Sequence, residues 1–118
     1  MREIKFRGKR KDTGEWVYGD FLKPTDYHFC IRERISGATH YVESETVGQY
    51  TGLKDKNGKE IYGGDRVKIQ DEVVTIFFNE SMASWDYEYE GGDCEPIVLD
   101  GSYYDPSGFE VIGNIHEE

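Results

Sequence analysis

Long apolar runs, cysteine and proline are all scarce in this sequence, and basic residues disappear from its second half. No stretch of even ten consecutive apolar residues occurs in the 118. That excludes a membrane-crossing helix and the hydrophobic region of a secretory signal. Only two cysteines are present, Cys30 and Cys94, with no CxxC pair. Two such thiols are ordinary in a reducing compartment, so no disulfide is expected and the cytoplasm is the expected location, with no membrane association. Neither a GxxxxGKS phosphate loop nor a GxGxxG fingerprint occurs, which removes the commonest nucleotide-binding motifs. After Lys68 there is no Lys or Arg at all.

Dividing the charge is more informative than its total of −10. Residues 1–59 carry 12 Lys/Arg against 9 Asp/Glu, whereas residues 60–118 carry 2 against 15. An asymmetry of this kind either marks a partner surface of defined sign or fills solvent-facing positions that keep a small protein soluble.

Aromatic residues are what the chain has in abundance: 9 Tyr, 6 Phe and 2 Trp. Disordered chains are poor in such rings, so a packed core is expected. Most of the sequence alternates with the period of strands. Ile4 and Phe6 alternate with Lys5 and Arg7, predicting a strand with the apolar pair inward and the basic pair solvated. Asp12-Thr13-Gly14 breaks the pattern and Trp16 to Leu22 resumes it, which reads as a hairpin. Tyr27–Arg32 is a third strand, and Tyr41-Val42 and Thr46-Val47 are short extended pieces. Asn57-Gly58 predicts a hairpin tip of type I′, with Leu53 and Ile61 near its base, because both residues tolerate positive φ. Val73–Phe78 is β-branched and aromatic, as a central strand requires. Trp85, Tyr87 and Tyr89 alternate with Asp86, Glu88 and Glu90, placing rings on a buried face and carboxylates in solvent. Phe109–Ile115 is the last strand. No helical window is long enough to be stable by itself. The fold class is all-β, built from one or more small barrels.

The longest motif runs Val47-Gly48-Gln49-Tyr50-Thr51-Gly52-Leu53-Lys54-Asp55-Lys56-Asn57-Gly58-Lys59-Glu60-Ile61-Tyr62, followed by Gly64-Asp65. In it the chain resembles the YopX family of phage and prophage proteins. The opening Met1–Arg7 and the closing Phe109–Ile115 agree with the family, whereas 24–44 and 79–108 do not carry the likeness. Gly63 departs from it, standing where the family commonly has Glu. The resemblance implies an intracellular phage or prophage protein with an all-β fold. It further implies an SH3-like barrel in the C-terminal part, packed with an N-terminal β-hairpin region. On that basis 1–118 is one YopX-like domain, divisible into an N-terminal β region, 1–48, and a barrel, 49–118. The family supplies no activity, so no site residue is carried over from it.

Catalytic and metal chemistry find little support in the residues. Asp86-x-Glu88-x-Glu90-Gly91 imitates the start of an EF-hand loop, but Ile97 stands where a bidentate Glu is needed. His28, Cys30, His40 and Cys94 are zinc-ligand types at spacings that match no common zinc site. Ser36-Gly37 lacks the context of an activated nucleophile. No metal, cofactor or catalytic residue is therefore assigned, and the chain reads as a binding module, with an enzyme whose groups are assembled from distant parts of the chain as the remaining alternative. Nucleic acid is one candidate partner: Arg2, Lys5, Arg7, Lys9, Arg10 and Lys11 could meet phosphates, and Trp16 could stack on a base. A host or phage protein is the other, with Asp86, Glu88 and Glu90 as the candidate acidic surface, which could also imitate DNA. The charge split further suggests a homo-oligomer that sets the basic half of one copy against the acidic half of another.

Overall fold

The computed structural model describes residues 4–69, 71–81, 84–89, 92, 94–96 and 108–116. Within them run eleven strands and one 3-10 turn, with no α-helix. The chain forms two compact units, Met1–Tyr50 and Thr51–Glu118. Strand β5 (Gly48–Lys54) passes from the first into the second.

In the first unit β1 (Phe6–Lys9), β2 (Trp16–Thr25), β3 (His28–Arg32) and β4 (Thr39–Tyr41) pair antiparallel in the order β4-β3-β2-β1, and the start of β5 adds to the free side of β1. The β1–β2 turn closes when the Gly14 N–H donates to the Arg10 carbonyl at 2.9 Å, which requires Gly14 at φ +75. In β2 the register slips between Leu22 and Thr25, around Pro24, a residue with no N–H to give a ladder. The chain leaving β4 then returns to the end of β1. Val42 bridges Arg10, the Lys11 N–H donates to the Tyr41 carbonyl at 2.9 Å, and the Glu43 N–H donates to the Lys9 carbonyl at 2.9 Å. This return closes the first unit on itself. Inside it Val17, Ile31 and Val42 are buried, with Phe6, Phe21, Phe29 and Val47 packed around them. Gly8 admits Val42 over the sheet: a Cβ there would lie 3.0 Å from the valine side chain.

Three expectations for this unit are corrected. Ile4 precedes β1 and is 64% exposed, so it is no part of the core. Arg7 is only 5% exposed, because its guanidinium lies 4.6 Å from the Trp16 ring on the neighbouring strand. Thr46 belongs to a 3-10 turn, Ser44–Thr46, rather than an extended piece. Its hydroxyl donates to the Glu43 carbonyl (2.6 Å) and accepts the Lys9 N–H (2.9 Å), a local side-chain bond that competes with strand pairing.

The second unit contains a sheet ordered β10-β9-β8-β7-β11, from β7 (Asp65–Ile69), β8 (Glu72–Asn79), β9 (Ser84–Tyr89), β10 (Cys94–Pro96) and β11 (Phe109–Asn114). The end of β5 and β6 (Glu60–Tyr62) form its hairpin. Period-2 alternation is clearest in β7, where Asp65, Val67 and Ile69 are buried and Arg66 and Lys68 exposed. The core joins Ile61, Val67, Val74, Ile76, Tyr87 and Phe109. Tyr87 meets Phe109 edge to face at 6.2 Å and Tyr89 at 5.5 Å, the arrangement aromatic quadrupoles favour. Full burial of a ring such as Phe109 contributes about 1.5–3 kcal/mol.

The tip at Asn57-Gly58 is present, but its loop is longer than a two-residue type I′ turn. Asp55 and Lys59 close it: the Asp55 N–H donates to the Lys59 carbonyl at 2.8 Å, and the Gly58 N–H to the Asp55 carbonyl at 3.0 Å, with Gly58 at φ +80. This is a three-residue loop with a glycine in the left-handed region. The Asp55 carboxylate selects it. Oδ1 accepts the N–H groups of Asn57 and Lys59, both at 2.9 Å, and Oδ2 accepts that of Val111 on β11, also at 2.9 Å.

Candidate functional site

The first unit holds an open cleft of about 500 Å³ where the β1–β2 turn faces β3 and β4. Arg10 and Lys11 enter it from the end of β1, His28 and Phe29 from β3, and His40 and Tyr41 from β4. The return of the chain at Val42 brings these residues together, since it ties the Lys11 backbone to Tyr41.

Most of the polar groups in the cleft are held by neighbours. Arg10 donates through Nε (3.0 Å) and Nη2 (2.8 Å) to the two oxygens of Asp12. That bond holds the Asp12 carboxyl below its ordinary range and raises the guanidinium. His40 Nε2 lies 2.7 Å from the Glu33 carboxylate. His28 Nδ1 lies 2.6 Å from the Thr25 hydroxyl, and its ring packs 5.4 Å from Tyr41 at a tilt of 48°. The Lys11 ammonium has no ion pair among the described residues. Tyr41 is 58% exposed. Among the described residues the Lys11 ammonium and the Tyr41 ring on this rim can together grip an anionic ligand that carries a flat group. Thr25–His28 is the only hydroxyl–imidazole contact described. No described acid bonds its second ring nitrogen, as an activated nucleophile pair would need.

The residues singled out from the sequence separate into groups. Arg10 and Lys11 reach the cleft. Lys5, just before β1, and Arg7 and Lys9 within it do not line the cleft and rest on rings: Lys5 on Tyr50 at 5.3 Å, Arg7 and Lys9 on Trp16 at 4.6 and 5.5 Å. Trp16 is thereby engaged by cations of its own chain and does not reach the cleft. Arg2 lies outside the described residues. Of the acids, Glu88 is exposed and Glu90 lies outside the described residues. Asp86 corrects its expectation, being 4% exposed. Asn79 Nδ2 donates to its Oδ2 at 2.9 Å and the Ser84 hydroxyl to its Oδ1 at 2.7 Å, which satisfies a carboxylate that burial would otherwise penalise. Sequence reasoning missed Tyr41 and weighed His28 and His40 only as zinc ligands. No described group of three or more His, Cys, Asp or Glu could hold a metal.

Two of the three segments that carried the family resemblance, the long motif and the closing strand, meet in the second unit. Besides the Asp55–Val111 bond, the Lys56 N–H donates to the Phe109 carbonyl at 2.9 Å, and the Ile115 N–H to the Gly64 carbonyl at 2.9 Å. A family model described as YopX protein matches residues 5–118. The chain belongs to the YopX family. No curated protein matches it. The YopX match takes in both units, and with them the cleft, whose residues fall largely in the region the sequence motif left uncovered. No helix among the described residues is long and apolar enough to cross a membrane.

Proposed function

We propose that this YopX-family chain is a non-enzymatic accessory protein of phage or prophage origin, acting in the host cytoplasm by binding a macromolecular partner through the cleft of its first unit. The observation that supports the reading is the conjunction of a Lys11 ammonium with no ion pair among the described residues and the exposed Tyr41 ring, on a rim held by Arg10–Asp12 and His40–Glu33. The fixed rim favours recognition, because groups already held by neighbours lose little freedom on binding. Bait made from the wild-type chain is expected to retain from bacterial lysate a component that Lys11→Glu/Tyr41→Ala bait loses. A nuclease-treated arm shows whether that component is nucleic acid or protein. Identical retention by both baits overturns the cleft as the binding site.

Charge favours a second, compatible element of the reading. The first unit carries nine Lys/Arg against eight Asp/Glu and the second five against sixteen, so copies of the chain can attract head to tail. Light scattering at low salt and micromolar concentration should give a mass above one chain, and raising salt should slow assembly. A clean monomer at low salt ends the idea.

A further inference from the structure

We infer that the occupant of the cleft is single-stranded nucleic acid, with a phosphate at Lys11 and Arg10 and a base against Tyr41. The inference rests on the proposed use of the cleft and adds the chemistry of its ligand. Arg10 spends Nε and Nη2 on Asp12, which leaves Nη1 to donate to a second anion beside the Lys11 ammonium. Tyr41 is held by His28 and offers an open ring, and stacking on such a ring accepts any base. A volume of about 500 Å³ lies in the range of clefts that take small ligands, about 300–1,000 Å³, and suits one or two nucleotides rather than a folded surface. A duplex keeps its base faces stacked inside and has none to give Tyr41. An acidic peptide brings carboxylates without a ring, into a cleft that already holds Asp12 and has Glu33 at its edge. With two cations offset by those two acids, the ring supplies most of the affinity and salt has a modest effect.

Fluorescence anisotropy on the full chain tests this, with labelled dT and rU 12-mers, a 12-base-pair duplex and an oligoglutamate. The single strands are expected to bind at least about tenfold more tightly than the duplex or the oligoglutamate. Neutralising that one phosphate predicts an affinity loss of roughly threefold between 50 and 200 mM salt. Tyr41→Ala should weaken binding by about tenfold or more, while Tyr41→Phe, which keeps the ring, stays within about twofold. Lys11→Glu should weaken binding, and Lys56→Glu, an equal charge change on the second unit, should not. Equal binding of oligoglutamate, or indifference to Tyr41→Ala, overturns the ligand. So does failure of the single strands to bind. Should the lysate component still depend on Lys11 and Tyr41 in those cases, the cleft stands and only its ligand is wrong.

Discussion

Replacing Asp55 by alanine is expected to lower the stability of the second unit by about 3–5 kcal/mol. Its side chain accepts three backbone N–H groups, from Asn57, Lys59 and Val111, and the residue is 6% exposed. Each hydrogen bond to a charged group is worth about 1.5–3 kcal/mol, and the three are not additive. Alanine also leaves the donors without their acceptor, including one on β11, 56 residues away. Against a total stability of about 5–15 kcal/mol this is a large loss. The change is read by urea unfolding in a Trp16→Phe background, where Trp85 is the remaining indole. Acid should mimic part of the loss. Burial pushes the Asp55 carboxyl up, but the N–H donors of Val111, Lys59 and Asn57, with the nearby Lys59 charge, outweigh it and hold the group below its ordinary value. Its contribution is therefore complete above the unfolded value of about 3.9 and is lost as the pH falls through the lower, folded value. Asp55→Asn should flatten that part of the acid limb. Coincident urea midpoints for wild type and Asp55→Ala at neutral pH would refute the account.

For the first unit, the largest expected effect comes from Gly19→Ala. A Cβ at position 19 would stand 2.0 Å from the carbonyl oxygen of Arg32 and 2.8 Å from its carbon. Both are backbone atoms, so no rotamer change relieves the overlap, and β2 and β3 must part where Asp20 pairs with Arg32. A cost of about 3 kcal/mol or more is expected, at or beyond the upper end for overpacking. Gly37→Ala is the comparison: an added Cβ meets nothing there, and only its φ of +74 is unfavourable, worth about 1–2 kcal/mol. Trp16 fluorescence in a Trp85→Phe background should show the larger shift for Gly19→Ala. If Gly37→Ala proves equally costly, the backbone contact is not limiting.

The strands were legible where one face is apolar and the other polar, and the side chains that departed from the pattern did so because a particular neighbour, near or distant in sequence, supplied a hydrogen bond or a ring that alternation does not encode. Tyr87 and its flanking rings follow their period towards the core, but Asp86 is buried because Asn79 at the end of β8 and Ser84 at the start of its own strand supply donors. Arg7 fits a solvated position until Trp16, carried on β2, covers it. The hairpin at Asn57-Gly58 was readable from two residues, whereas its loop length was not. Asp55 chooses that length by accepting the Lys59 N–H. The cleft was the least legible part. Arg10 and Lys11 stood out only as charges, and nothing near Tyr41 signals a site. Its neighbours arrive through the Arg10–Val42 bridge, a pairing that no local pattern announces.

That bridge also bears on the order in which the protein can be made. Every pairing that shapes the first unit is complete within the opening fifty residues, mostly between consecutive strands, so it can close early as a nascent chain emerges. In the second unit β7 waits for β11: Asp65 pairs with Asn114, and the Asp55 carboxylate waits for the Val111 N–H. Until then one edge of β7 and the apolar face of β8 are uncovered in a half-made sheet, the kind of surface on which chains aggregate. The sequence after Lys68 carries acidic residues and no basic ones, so unfinished chains bear like charge during the interval. Mutual repulsion between unfinished chains is thus a use for those carboxylates that needs no partner.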